Sequence, residues 1–370
     1  MPVSIHIHDP ADLIAVVPAM LGFTPVRSLV LLFVTHHPEV EGSTVVQFLV
    51  RMESPLQDHR LSDDDIAQYA ADMCARMDAH AVLAVLVDDR LSRPTHADAA
   101  DARCRSALQT LRTQLQSVER ALAGAWCTSA LAAHTEWWSE ATPEQYGYLP
   151  DPTASRIAAE YTAAGRPIHA TRTDLIELLD VDHALRHKVT DALDDAAAQA
   201  HRRFVRAVQI GDPSAYSRQA LWQVMQTIAH TSTLEVPTPR ALADVAVALR
   251  DPVVREAMFG VADGEHAHRA HQLWTILTRA LPDPDRAEAA MLLAFSAYLH
   301  GDGALAGIAL DTALASDPDH RMAQLLDLAL STAMPPHRLR RLCEAGIESA
   351  TELRIDIGVA AHDSPIDENP

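Results

Sequence analysis

The sequence predicts an α/β N-terminal domain, a mixed sheet flanked by helices, followed by an all-α C-terminal domain with a tetratricopeptide-like helical hairpin. Three observations carry that expectation. Apolar runs of strand length alternate with helical periodicity over the first 150 residues, the pattern of a sheet covered by helices. No strand signal follows them, and helices restart repeatedly at a capping residue followed by proline. Two of these restarts lie 34 residues apart, the tetratricopeptide period.

Asp9 is a good N-cap and Pro10 suits the first helical position, so a helix opens there with Leu13, Ile14 and Val17 on one face. Pro18 lacks an amide hydrogen and should kink or restart that helix, and Gly22 ends it. Leu29 to Val34 is a continuous apolar run, as expected of a strand covered on both faces. Ser43 to Met52 is a second strand, and the short connection makes the pair antiparallel. Ser62 caps a helix whose first turn holds Asp63, Asp64 and Asp65, where the macrodipole favours acids. Ala81 to Val87 is a third strand, parallel to the second across that helix.

A long helix from about His96 to Leu122 carries one apolar stripe. At ~1.5 Å per residue it would span ~40 Å and project past the sheet. Weaker strands near Ala125 to Leu131 and Glu136 to Trp138 complete the sheet. The stretch "SEATPEQYGYLPDPT" breaks every period and marks the boundary. The α/β domain is then 1–150 and the helical domain 151–355. Within the second, Asp212-Pro213, Thr238-Pro239, Asp251-Pro252, Asp283-Pro284 and Asp317-Pro318 each open a helix. The last two frame the repeat-like hairpin, near 283–332, and 356–370 reads as a loose tail.

The chain of 370 residues is 48% hydrophobic, enough for two cores, and its net charge is −20. A field of that sign repels nucleic acid and disfavours anionic membranes, so neither is expected as a partner. No run approaches the ~20 apolar residues of a membrane span. The start "MPVSIHIHDP" has no basic n-region, so no signal peptide is expected. Cys74, Cys104, Cys127 and Cys343 are far apart and form no C-x-x-C pair, which fits a reducing cytoplasm. Glycine-rich nucleotide motifs and G-x-S-x-G are absent, so no cofactor and no catalytic residue is assigned.

Sites in sheets with βαβ units gather at the carboxyl ends of the parallel strands. Those ends offer Arg51 and Glu53, Asp88 and Asp89, and His134. The first strand runs the other way, so Arg27 and Ser28 reach the same edge. Adjacent carboxylates facing arginines can bind a metal, a phosphate or a polar substrate; the plainer reading is ion pairs that seal a sheet edge. Trp137 and Trp138 are neighbours, one expected in the core and the other, with Trp138 the candidate, free to stack on a ligand. In "GEHAHRAH", His268 and His271 share a helix face and His266 does not, a pattern read as a solvated helix start and not as a metal site. Asp180, His183, His187 and Asp191 form a stripe, the wet face of an amphipathic helix.

The opening "DLIAVVPAMLGFTPVRSLVLLFV", then "EWWS", "AAGRPIHATRTDLIELL" and "YLHGDGALAGIALDTALASDPDHRMAQLLDLAL" together resemble an actinobacterial family, domain of unknown function 4192. Members similar to it carry cysteines shortly after Trp-Trp-Ser; here "EATPEQYGYLPDP" has none. The resemblance implies a bacterial cytoplasmic protein without an assigned reaction, and transfers no catalytic residue. The expected function is a non-enzymatic binding or adaptor protein whose helical domain docks a protein partner. The alternative is a metal- or phosphate-dependent hydrolase at the carboxyl edge of the sheet. The oligomeric state is not set by the sequence.

Overall fold

The computed structural model describes residues 9–36, 44–56, 62–93, 99–142, 144–163, 167–232 and 236–358. The chain divides into two compact units, Met1–Leu175 and Ile176–Pro370.

In the first unit, α1 spans Pro10–Leu21, β1 Ser28–His36, β2 Thr44–Glu53, α2 Asp63–Met77, β3 Ala81–Val87 and α3 Ala99–Ser117. They are followed by β4 Ala121–Thr128, β5 Glu136–Ser139, β6 Tyr146–Tyr148 and α4 Arg156–Ala163; α5, Arg172–Glu177, crosses the division between the units. The six strands form one mixed sheet in the order β2-β1-β3-β4-β5-β6. Within this sheet, among the described residues, β3 and β4 are the neighbours that pair in parallel. β1 lies between β2 and β3 and is antiparallel to both, so β2 and β3 share a direction without touching.

The local chemistry explains these elements. Asp9 accepts from the Ala11 amide and Gly22 closes α1 in the left-handed region at φ 77°. α1 runs unbroken through Pro18, against the expected kink; nine of its twelve residues are buried, and packing holds it across the missing bond. Leu29 to Val34 is buried throughout. Ser62 and Asp65 form a reciprocal capping box at the start of α2. α2 and α3 pack on one another.

The long helix was expected to reach Leu122. Instead α3 has 19 residues, ~28 Å, and Ala121 and Leu122 already belong to β4. Glu119 adopts φ 58° and the Arg120 amide turns back to the Leu115 carbonyl, a left-handed stop that periodicity does not reveal. The expected start at His96 lies outside the described residues. β6 falls inside the stretch read as aperiodic. It forms because Gly147 sits opposite Trp137, whose indole nitrogen would lie 2.9 Å from any Cβ there.

The second unit is helical: α6 His183–Gln209, α7 Ser214–His230, α8 Pro239–Leu249, α9 Pro252–Val261, α10 Ala267–Ala280, α11 Asp285–Leu299, α12 Gly303–Ser316, α13 Arg321–Ser331 and α14 Arg340–Glu352. Thr238 and Asp251 cap α8 and α9 ahead of proline as expected. The other three Asp-Pro steps precede their helices differently. α7 and α11 begin one residue after the proline, and α13 begins at Arg321 under a His320 cap. α11 is buried on nearly every side and packs against α12 and α10. Its Tyr298 hydroxyl sits between the carbonyls of Ala329 (3.0 Å) and Met334 (2.6 Å). α9 and α14 approach through Gly260 and Gly346. The expected tail lies outside the described residues from 359 onward.

Candidate functional site

The strand directions bring the predicted edge together. Ser28, the first residue of β1, pairs with Glu53 on one side and with Val87 on the other. Arg27, Ser28, Arg51, Glu53, Asp88 and Asp89 therefore share one rim of the sheet.

The centre of that rim is Asp88, a carboxylate with 0% exposure. Arg90, two residues on, donates Nε to Oδ1 at 2.8 Å and Nη2 to Oδ2 at 2.7 Å. The Arg90 amide donates to Oδ1 at 3.1 Å, and the buried Ser54 hydroxyl donates as well. Burial alone would push this carboxyl up. The bonds from Arg90 and Ser54 outweigh it, and the group ends below the usual carboxylate range.

Backbone bonds tie the same spot together. The Ser54 amide donates to the Arg27 carbonyl (2.8 Å), the Asp88 amide to Thr128 (3.0 Å), and Arg90 Nη1 to Leu56 (2.8 Å). Arg103 Nε reaches the Pro55 carbonyl at 3.0 Å. The exits of β2, β3 and β4 and the entry of β1 are clasped around one buried charge.

The neighbouring groups are partnered too. Asp89 receives Arg27 Nε at 2.7 Å and Nη2 at 3.0 Å, an exposed fork that holds Asp89 below and Arg27 above their ordinary values. Arg27 has φ 45°, so its backbone turns into β1 through the left-handed region. Arg51 Nε donates to Ser28 Oγ at 2.8 Å, and that hydroxyl donates to the Val26 carbonyl at 2.8 Å. Burial first, then the nearby Arg172 charge, lowers Arg51. Glu53 is exposed at the end of β2.

The other two predicted residues make none of these bonds. His134 is exposed in the β4–β5 loop at φ 63°, its amide donating to the Leu149 carbonyl at 2.9 Å. Trp137 and Trp138 are both 4% exposed, so neither presents a face to solvent. Sequence reasoning missed Arg90 and Ser54, which complete the clasp; the signal for Arg90 was its place two residues after Asp88.

The histidine-rich stretches do not converge. His266 lies 3.4 Å from Glu265, His268 3.0 Å from Gln272 and His271 3.2 Å from Ser296. His187 pairs with Asp191 at 3.0 Å on the exposed face of α6. Among the described residues no group of three potential ligands could hold a metal ion.

Within the second unit, α6 to α9 enclose an open cleft of about 570 Å³. Ala197, His201 and Phe204 line one side and Tyr216, Arg250 and Asp251 the other. Phe204 and Tyr216 meet edge to face at 5.7 Å. The charges of the cleft are already paired: Arg250 grips Asp285 at 2.9 and 2.6 Å, and Asp251 caps α9 while accepting from Ser217 at 2.5 Å. What remains for an occupant is an apolar wall.

The fold and rim define a protein with a clasped α/β sheet unit and a separate helical unit. The chain belongs to the family described as Domain of unknown function (DUF4192), whose model matches residues 10–337. No curated protein and no solved structure matches it. Among the described residues no helix is long and apolar enough to cross a membrane.

Proposed function

We propose that this is a non-enzymatic binding or adaptor protein of the bacterial cytoplasm whose helical unit docks a protein partner. The observation that carries this reading is the set of large apolar side chains exposed in that unit: Phe204, Val208, Ile210, Trp222, Leu325 and Leu328. Contiguous exposed apolar surface marks interaction sites, and Phe204, Val208 and Ile210 follow one another at the C-terminal end of α6. The 34-residue interval from Asp283 to Asp317 and the paired helices α11 and α12 fit a tetratricopeptide-like hairpin, an architecture that presents such surfaces. The rim supports the same reading. Asp88 is held by Arg90 and Asp89 by Arg27, so neither of the adjacent carboxylates stands ready as a base or a metal ligand. The charge of −20 speaks against nucleic acid and anionic membranes as partners.

The test is thermal shift of the full chain against Mg²⁺, Mn²⁺, Zn²⁺ and nucleotides, with Asp89→Ala beside it. The expected result is no shift. A shift that the variant abolishes, accompanied by turnover, would replace the adaptor with an enzyme.

A further inference from the structure

We infer that His320 makes the N-terminus of α13 a pH-sensitive switch: its neutral imidazole caps the helix, and protonation releases the first turn. The inference goes beyond the adaptor reading and does not rest on it. The bonds around the ring define its protonation. Nδ1 of His320 accepts the Ala323 amide at 3.2 Å, the N-cap bond of α13. A ring nitrogen that accepts carries no proton, so the single proton of the neutral imidazole sits on Nε2. That nitrogen lies 3.3 Å from Glu288 Oε2 and donates to it. The same oxygen receives Arg255 Nη1 at 2.8 Å. Arg255 on α9, Glu288 on α11 and His320 on α13 thus form one chain of bonds. The side chains of His320 and Glu288 are 12% and 13% exposed, so water has little access to either.

A second proton changes the ring at both ends. It must sit on Nδ1, which turns the acceptor into a donor aimed at another donor, the Ala323 amide. The cap cannot survive that contact. At Nε2 the bond to Glu288 becomes charge-assisted and strengthens. The ring then stays with α11 and lets α13 go. Among the described residues, Glu288 from α11 favours the imidazolium and Arg255 from α9 opposes it. On the ring's own turn stand Asp317, whose Oδ1 accepts from the Asp319 amide, Asp319 itself and the exposed Arg321.

The packing of α13 makes it responsive. It buries three residues, Ala323, Leu326 and Ala329, two of them alanine, so its side chains hold it lightly against α11 and α12. Its far end is fixed by the Tyr298 hydroxyl, which lies against the Ala329 and Met334 carbonyls. Uncapped, α13 loosens from its N-terminus, and the exposed Leu325 and Leu328 loosen with it. Imidazole is the side chain whose ordinary charge change falls between about pH 5 and 8, which sets the working range.

The test is NMR of the isotope-labelled full-length chain between about pH 8 and pH 5. It reads the ring nitrogens of His320 and the hydrogen exchange of the Ala323 amide, corrected for the intrinsic pH dependence of exchange. At the alkaline end the expected ring is neutral, with its proton on Nε2. Toward the acid end it takes the second proton, and Ala323 protection falls in step by about fivefold or more, while Leu293 in α11 keeps its own. His320→Asn caps through its side-chain oxygen without titrating, so its α13 should stay ordered across the range. Glu288→Gln should move the fall in protection to lower pH, a displacement that a purely structural histidine would not give. A proton on Nδ1 at the alkaline end overturns the inference. So does Ala323 protection that is unchanged in acid, or that falls equally in His320→Asn. Parallel loss at Leu293 would assign the response to the whole helical unit and overturn the local switch.

Discussion

Replacing Asp88 by asparagine keeps the volume and removes the charge at the centre of the sheet rim. The carboxylate is fully buried and accepts from Arg90 Nε, Arg90 Nη2, the Arg90 amide and Ser54. Breaking a fully buried ion pair costs ~3–5 kcal/mol. Here the Arg90 side chain is 39% exposed and can turn to water, which lowers the figure. The buried Ser54 hydroxyl and the Arg90 amide cannot escape so easily, and each lost bond to a charged group costs ~1.5–3 kcal/mol. The expected loss is about 2–4 kcal/mol. In urea that shifts the midpoint of the first unit by roughly 1–2 M. Equilibrium unfolding of the full chain, with hydrogen exchange followed over 84–91, measures it. Arg90→Ala should cost as much, and the double variant little more, because the two side chains act through each other. Because the Asp88 pKa is depressed on folding, its contribution is present above the unfolded carboxylate value of ~3.9 and is lost as pH falls through the lower folded value. The parent should therefore lose stability below about pH 4, and Asp88→Asn should show a flatter acid limb. An unchanged urea midpoint in Asp88→Asn would refute the clasp.

Three further expectations concern other parts of the chain. In a double-mutant cycle, Arg27 and Asp89 should show a small coupling that added salt removes, since both side chains are more than half exposed; a coupling that persists in molar salt would contradict this. Gly346→Ala should destabilise the helical unit by ~1–3 kcal/mol, because a Cβ there meets the Gly260 amide at 2.5 Å and the Glu256 carbonyl at 2.6 Å; an unchanged melting temperature would show that α9 and α14 can separate at no cost. All four cysteines are buried, and burial pushes the Cys74 thiol up to about 11 and Cys343 up to about 12; maleimide at pH 8 should label the native chain slowly and all four thiols in denaturant.

The legible parts of the fold were those encoded locally. Asp9-Pro10, the Ser62 cap and the unbroken run from Leu29 to Val34 announced α1, α2 and β1, and strand direction then fixed which residues share the rim. The illegible parts depend on partners distant in sequence or on backbone conformation. β6 exists because Gly147 admits the Trp137 indole. α3 ends at a left-handed Glu119 that no apolar stripe foretells. The rim residues were named from the sequence, but the partners of Asp88 were not: Arg90 and Ser54 hold that carboxylate, while Arg27 holds Asp89. The α6 cleft was invisible because four helices build it. Its one sequence signal is an almost acid-free stretch with Arg202, Arg203 and Arg206 around Phe204 and Val205.

Site-directed photo-cross-linking in living cells tests the central claim most directly, with the reactive residue placed in turn at Val208 in the helical unit and at Glu53 on the sheet rim. A helical unit that docks a protein gives one recurrent protein adduct at Val208 and none at Glu53. Adducts confined to Glu53 would contradict it and return the function to the sheet.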